Sequence, residues 1–174
     1  MFEPLKAIDT LNEHHVDYVV VGGWGTLQHG ATRLTQDLDI CPELSAENLE
    51  RLAQALTDLQ AQLQIAPDQT VPVPIIDGRL LSQMQIGNWS TDAGGLDVLQ
   101  HIPGLDGRQL SYPELRQHAT KVTDDGRTFA VASLADITAS KRAAGRQKDL
   151  EALPELERLL AESPPSRDSD GHDI

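Results

Sequence analysis

Two aspartates separated by a single residue are the most chemically suggestive feature of this sequence. Asp37 and Asp39 lie in the segment LTQDLDIC, whose pattern predicts a β-strand at residues 34–41. Side chains at positions i and i+2 of a strand point to the same face, so the two carboxylates should lie side by side. Adjacent carboxylates repel each other unless a cation lies between them. The pair therefore predicts a cation site, and Mg²⁺ is the ion that best suits oxygen ligands of this kind.

A third carboxylate would complete a site for two metal ions. Asp97 is the best candidate, because it follows Gly94-Gly95 at the start of the strand-like segment LDVLQHI. A neighbouring strand could bring it alongside the first pair, and two ions about 3.5–4 Å apart can clamp an in-line phosphoryl displacement. Asp92 is the alternative third ligand, but it lies in a turn-like stretch.

A glycine pair precedes these aspartates. The β-branched run VDYVVV at residues 16–21 predicts a buried strand that ends at Gly22-Gly23, and a short helix is expected at residues 24–29. Glycines let a phosphate approach the backbone, and the start of a helix offers free N–H donors. An ordinary strand-to-helix turn would look the same. A dinucleotide-binding fingerprint is disfavoured because Gln28 stands where its third glycine would be, and no P-loop signature follows.

Four basic residues form the main positive cluster of the chain, within or just after a predicted helix at residues 134–144 that Gly145 ends. They are Lys141, Arg142, Arg146 and Lys148. Such a cluster fits an anion site, and it fits a solvated helix face equally well. The sequence leaves both interpretations open.

These segments together resemble the nucleotidyltransferase superfamily, and in particular minimal bacterial enzymes of the AbiEii type found in abortive-infection and toxin–antitoxin systems. The resemblance runs from residue 16 to residue 153 and rests on Gly22-Gly23, HGATRLTQDLDI, GGLDVL and SLADITASKRAAGRQKDLEAL. It implies that the glycine pair cradles a triphosphate, and that Asp37, Asp39 and Asp97 bind Mg²⁺ and act in catalysis. Many members have Gly-Ser where this chain has Gly-Gly, so one hydroxyl contact to phosphate is absent.

The resemblance also implies nucleotide-binding roles for several other side chains. Lys141 matches the family's nucleotide-binding lysine, and the remaining residues would contact or attract phosphate: Arg33, Thr35, Arg142, Arg146 and Lys148.

The elements that must position these residues predict an α/β (α+β) fold, a nucleotidyltransferase-like mixed sheet flanked by helices, with a C-terminal helical segment. Ser45 should cap a long helix that carries leucines from Leu49 to Leu63, and strands are expected at residues 83–86 and 96–102 around the turn-rich NWSTDAGG. Three parts follow in order: an α/β core, a helical segment whose last part at residues 147–162 should form two pieces around Pro154, and a disordered tail. Their boundaries are residues 1–132, 133–162 and 163–174.

Composition limits the partners. The 174 residues carry 14 basic and 27 acidic side chains, a net charge of −13, which opposes broad binding of nucleic acid. One cysteine, Cys41, rules out an intramolecular disulfide, and no apolar run approaches the ~20 residues of a membrane helix. We therefore expect a soluble, cytoplasmic protein.

The leading hypothesis is a Mg²⁺-dependent nucleotidyltransferase. It would transfer a nucleoside monophosphate from an NTP to an unidentified acceptor (protein, tRNA or small molecule) and release pyrophosphate, as a component of a toxin–antitoxin pair with an antitoxin-like protein partner. The alternative is a catalytically weak nucleotide-binding or partner-binding module of the same fold. A third interpretation is a modifier of small molecules, for which the acidic surface would suit a cationic, aminoglycoside-like acceptor.

Overall fold

We describe residues 1–163 of the chain from a computed structural model; the predicted tail at residues 163–174 therefore lies, except for Ser163, outside the described residues. Helices and strands alternate along the first half of the chain, and a pair of helices closes the second half. The helices are α1 (Pro4–Glu13), α2 (Gly22–Gln28), α3 (Ala46–Asp58), α4 (Gly78–Ser82), α5 (Tyr112–His118), α6 (Leu134–Ala144) and α7 (Gln147–Glu162). The strands are β1 (Tyr18–Val21), β2 (Asp37–Pro42), β3 (Gln62–Ala66), β4 (Gln69–Val71), β5 (Ile86–Thr91), β6 (Gly94–Leu99), β7 (His101–Pro103), β8 (Gln109–Ser111), β9 (Thr120–Asp124) and β10 (Arg127–Val131).

The centre of the molecule is a mixed sheet of eight strands in the order β4-β3-β5-β6-β2-β1-β10-β9. Strand β1 is parallel to β10 and β2 is parallel to β6, whereas the other pairs are antiparallel. Strands β7 and β8 form a separate two-stranded ribbon. The predicted mixed sheet with flanking helices is confirmed.

A largely aliphatic core covers one face of the strand that carries the two aspartates. Leu38 and Ile40 alternate with the two aspartates of β2 and are fully buried, so they point to the opposite face. There they join a cluster that includes Leu52 and Leu56 of α3. Burial of this face fixes the strand register, and the register in turn fixes where Asp37 and Asp39 project.

The middle of the chain differs from the sequence prediction. Helix α3 ends at Asp58 because Gln60 adopts a left-handed backbone conformation (φ 55°), and Leu63 lies on β3 instead of the helix. The strand predicted at residues 83–86 is wrong, since these residues follow α4 and only Ile86 begins β5. The turn-rich NWSTDAGG is mostly strand: it contains most of β5, a two-residue turn and the start of β6. Trp89 supplies the apolar anchor, because its side chain is fully buried.

The two C-terminal helices agree better with the sequence. Helix α6 spans the predicted residues; the Ser133 hydroxyl accepts a hydrogen bond from the backbone N–H of Asp136 (3.1 Å), and Gly145 ends the helix at φ 63°. Helix α7 is continuous through Pro154, so the prediction of two pieces is wrong. Its packing explains the continuity, because Leu156 is buried in a small cluster against Leu134 of α6. None of the helices within residues 1–163 is both long and apolar enough to cross a bilayer.

Asn48 links the start of α3 to the strands that carry the site. Its buried side chain accepts a hydrogen bond from the Asp17 backbone N–H (2.8 Å) and donates to the carbonyls of Asp17 (2.9 Å) and Glu43 (2.7 Å).

We expect Asn48→Ala to lower the free energy of unfolding by about 2–4 kcal/mol, because it leaves backbone groups without partners in the interior. Urea denaturation checks this. The exposed α3 variant Gln54→Ala is the control, and equal stability of the two variants would contradict the assignment.

Candidate active site

The three aspartates singled out by the sequence lie together on one face of the sheet. Strands β2 and β6 are parallel neighbours, and their register pairs Asp39 with Asp97 and Asp37 with Gly95. Register partners in adjacent strands point to the same face, as do residues i and i+2 of one strand. All three side chains line one cleft of about 680 Å³, a volume typical of small-molecule sites. Asp92, the alternative third ligand, does not line it.

Two glycines make room for these carboxylates. A Cβ placed on Gly22 would lie 2.0 Å from Oδ2 of Asp39, and one placed on Gly95 would lie 1.9 Å from Oδ1 of Asp37. Gly22 also has φ +69°, a conformation that other residues rarely adopt. It is the first residue of α2, so the helix begins at the glycine pair and not two residues later as predicted. Both glycines are therefore required by the positions of the carboxylates.

The carboxylates are placed where their charges are unfavourable without a cation. Burial raises the pKa of Asp39 to about 8, together with the charges and the hydrogen bonding of Asp97 and the charge of Asp37; Lys141 opposes the rise. Burial and the charge of Asp37 likewise raise the pKa of Asp97. Strongly perturbed carboxyl groups in a cleft are a common property of catalytic sites.

The donor set fits Mg²⁺ in part. Within residues 1–163, no three His, Cys, Asp or Glu side chains converge as a complete metal-binding group. Mg²⁺ commonly keeps several waters and takes only one or two carboxylates from the protein, with the remaining ligands from substrate phosphates. Adjacent buried carboxylates with room left by two glycines suit that mode of binding.

A cationic wall faces the carboxylates from the C-terminal helices. Lys141 of α6 is mostly buried, and its Nζ lies 3.7 Å from Oδ1 of Asp149. Arg146, just before α7, donates from Nε to Oδ2 of the same carboxylate (2.7 Å). Burial lowers the pKa of Lys141, while the charges of Asp149 and Asp39 oppose that change. Asp149 therefore pairs with both of these cations.

Asp149 thus orients two of the predicted phosphate-binding cations. Burial acts to raise its pKa, but the hydrogen bond and charge of Arg146 and the charge of Lys141 outweigh burial, and the net pKa is lowered. The folded-state pKa of Asp149 lies below its ordinary value of 3.8, so the ionised carboxylate stabilises the folded protein. This contribution to stability is complete above pH 3.8 and is lost as the pH falls through the folded-state pKa.

We expect Asp149→Asn to raise the KM for nucleotide about tenfold, because Lys141 and Arg146 lose the charge that holds them in the cleft. The free energy of unfolding should fall by about 1–3 kcal/mol at pH 7. Steady-state kinetics and thermal melts check both effects. The control is Glu157→Gln, since Glu157 pairs outside the cleft. An unchanged KM would show that Asp149 does not position the nucleotide-binding cations.

Of the other residues predicted to contact phosphate, some line the cleft and one does not. Arg33, Thr35 and Lys148 line the cleft, although Arg33 also pairs with Glu151 of α7 (2.9 Å). A Cβ on Gly23 would lie 3.3 Å from the Thr35 side chain, so Thr35 packs directly beside the glycine pair. Arg142 does not line the cleft; its guanidinium pairs with Glu157 (2.6 Å) because the helix turns it away. The structure thus does not bring Arg142 to the predicted site.

Two residues that line the cleft were not predicted from the sequence. Asn88 and His101 both line it, from β5 and β7. Asn88 is the register partner of Asp97. It lies in a segment that was predicted to be a turn, so the sequence did not predict which face of a strand its side chain would occupy. Cys41 is buried, and burial together with the charge of Asp39 raises its pKa to about 12, so its thiol is not activated as a nucleophile.

The comparison with protein families gives a match in the first half of the chain. A family model described as aminoglycoside-2''-adenylyltransferase matches residues 5–77, which include the glycine pair and the first two aspartates. No curated protein matches the chain.

Three solved structures share the fold. The lincosamide antibiotic adenylyltransferase LnuA, in its lincomycin-bound structure, has a TM-score of 0.59 at 15% identity and covers 90% of this chain and 95% of its own. ANT(2")-Ia in complex with adenylyl-2"-tobramycin has a TM-score of 0.54 at 15% identity, with coverages of 91% and 92%. A Thermotoga maritima protein described as a nucleotidyltransferase has a TM-score of 0.50 at 16% identity, with coverages of 94% and 97%.

The chain therefore has the nucleotidyltransferase fold, and the resemblance drawn from the sequence is confirmed at the level of the superfamily. The family match and the neighbours support the prediction of a nucleotidyltransferase enzyme. The AbiEii branch stays a prediction.

Proposed function

We propose that this protein is a Mg²⁺-dependent nucleotidyltransferase that transfers a nucleoside monophosphate from an NTP to a hydroxyl group of a small molecule. The observation that carries the proposal is the cleft itself. Three carboxylates on adjacent parallel strands face a wall of cations across a space of about 680 Å³. Carboxylates for a metal and cations for a triphosphate are the two parts that such a reaction requires.

The roles of the residues follow from their places. Asp37 and Asp39 would hold Mg²⁺, which when bound neutralises charge on the phosphates and polarises them. Lys141, Arg146 and Lys148 would attract the triphosphate from the opposite wall. Asp97 lies beside Asp39 and would accept the proton of the acceptor hydroxyl. The hydroxyl oxygen then bonds to the α-phosphorus, the bond from that phosphorus to the bridging oxygen breaks, and pyrophosphate leaves.

A small molecule is the acceptor that the comparisons favour. The matching family model describes an antibiotic-modifying enzyme, and two of the neighbouring structures are antibiotic adenylyltransferases. For the same reason we propose ATP as the first nucleotide to test. A toxin–antitoxin role would instead require a protein or RNA acceptor.

Incubation with Mg²⁺ and each α-labelled NTP, with added cell lysate or total tRNA, tests the proposal. The label is then measured separately in protein, RNA and the small-molecule fraction. We expect label from one NTP to enter the small-molecule fraction. Label in protein or RNA would contradict a small-molecule acceptor and would support a toxin–antitoxin role. Nucleotide binding by calorimetry without any transfer would support the binding module.

A further inference from the structure

The two sides of the cleft differ in charge. Its basic residues come from the segment before β2 and from the α6–α7 region, and they are Arg33, Lys141, Arg146 and Lys148. Strands β5, β6 and β7 contribute another part of the lining, which we call the β5–β7 wall and whose β7 packs against α6. Apart from Asp97, the described residues that line this wall carry no formal charge: Ile86, Asn88, Leu99, His101, Ile102 and Pro103.

We therefore expect the triphosphate and the acceptor to contact different parts of the lining. A triphosphate carries several negative charges and is attracted to the cationic side. The acceptor must place its hydroxyl beside Asp97, which stands at the edge of the β5–β7 wall. The wall is thus the surface against which the rest of the acceptor lies.

The register of β5 against β6 determines which side chains of the β5–β7 wall lie next to one another. Asn88 is the register partner of Asp97, and Ile86 is the register partner of Leu99 two positions further along. An amide consequently lies next to the reacting position, and a pair of apolar side chains follows it. Ile86 is 59% exposed, which is unusual for an isoleucine within a central strand of a sheet.

His101 adds an unused polar group to the same wall. Its Nδ1 is buried without a hydrogen-bond partner among residues 1–163. Buried polar atoms are usually paired, so an unpartnered atom on a residue that lines the cleft calls for an explanation. A hydroxyl group of a bound molecule can satisfy an imidazole, as can a water that the molecule holds in place.

We propose that the acceptor is an uncharged, partly apolar hydroxyl compound, whose apolar part lies on Ile86 and Leu99 and whose hydrogen-bonding groups face Asn88 and His101. This inference rests on the proposed function. A polycationic acceptor would find no carboxylate on the wall beyond Asp97, and a nucleic acid would find no cation there. The wall therefore selects against the aminoglycoside-like acceptor that the overall charge of −13 suggested.

Hexyl β-D-glucoside is a suitable probe, because it joins several hydroxyl groups to an apolar chain without any charge. Methyl β-D-glucoside lacks the apolar part, and tobramycin supplies a polycation. Saturation-transfer NMR would measure binding of each compound to the full chain in the presence of Mg²⁺ and a non-hydrolysable ATP analogue. We expect hexyl glucoside to bind at least about fivefold more tightly than methyl glucoside, a difference of about 1 kcal/mol.

Two matched variants locate the binding. Ile86→Asp places a carboxylate on the wall, whereas Ile65→Asp makes the same change at an equally exposed isoleucine of β3 outside the cleft. Hexyl glucoside binding should weaken at least about fivefold in Ile86→Asp and stay unchanged in Ile65→Asp. Tobramycin binding should be undetectable in the wild type and should increase in Ile86→Asp.

Three outcomes would overturn the proposal: tighter binding of tobramycin than of hexyl glucoside by the wild type, no binding of hexyl glucoside, or equal loss of binding in the two variants. Calorimetry of Mg²⁺–ATP binding on the same samples keeps the two claims separate. If nucleotide binds and the glucoside does not, the acceptor class is wrong. If nucleotide does not bind either, the proposed function fails.

Discussion

Replacing Asp39 by Asn should reduce nucleotidyl transfer by at least about 10³-fold and leave the protein folded. Asp39 lies between Asp37 on its own strand and Asp97 on the neighbouring strand, so an uncharged amide removes the central ligand of the proposed metal site. Label transferred from α-labelled NTP, measured under single-turnover conditions, checks the loss.

The same variant should be more stable than the wild type when Mg²⁺ is absent. The folded-state pKa of Asp39, about 8, lies above its ordinary value of 3.8, so ionisation of this carboxyl opposes folding at pH 7 and above. An amide carries no such penalty, and the Tm should rise by about 2–4 °C. Asp92→Asn is the control, because Asp92 is exposed in the β5–β6 turn and outside the cleft. Equal activity of Asp39→Asn and Asp92→Asn would refute the site.

Gly22→Ala should have the second-largest effect. The added methyl group would lie 2.0 Å from Oδ2 of Asp39, so the carboxylate must move away from its position in the cleft. We expect transfer to fall about 10²-fold, because small displacements of reacting groups are costly in rate. The free energy of unfolding should fall by about 1–3 kcal/mol, which includes the strain of a non-glycine residue at φ +69°.

Gly126→Ala is the control that separates the clash with Asp39 from the strain of a positive φ. Gly126 has φ +78° in the turn between β9 and β10, and a Cβ there would meet nothing within 4 Å. This control therefore carries the backbone strain without the clash. It should lose about 1 kcal/mol of stability and retain full transfer activity. If both variants transferred equally well, the contact between Gly22 and Asp39 would have no role in the reaction.

Much of the site was predictable because it depends on local patterns. The alternation of Asp37 and Asp39 with buried Leu38 and Ile40 predicts both a strand and the shared face of its carboxylates. The glycine pair and the Ser133–Gly145 helix are likewise local signals, one set by close packing and the other by capping.

The remainder depends on contacts between distant segments. No local pattern indicates that β6 lies parallel to β2 with Asp97 level with Asp39. The sequence showed only that a neighbouring strand could bring Asp97 alongside the pair, and the resemblance to a family implied the same role. Arg142 and Lys141 are adjacent in sequence, yet only Lys141 faces the cleft, because the packing of α7 on α6 decides the rotation. The β5–β7 wall could not be predicted from the sequence, because Asn, Ser, Thr and Gly in NWSTDAGG favour turns. Burial of Trp89 makes the segment a strand instead.

The binding of ATP with and without Mg²⁺, measured by calorimetry, tests the central claim most directly, since it needs no acceptor. The comparison is between the wild type and the double variant Asp37→Asn/Asp39→Asn. We predict that the wild type binds ATP at least about tenfold more tightly with Mg²⁺ than without it, and that the double variant loses this difference. Equal Mg²⁺ dependence in the two proteins would show that these aspartates are only charges on a strand.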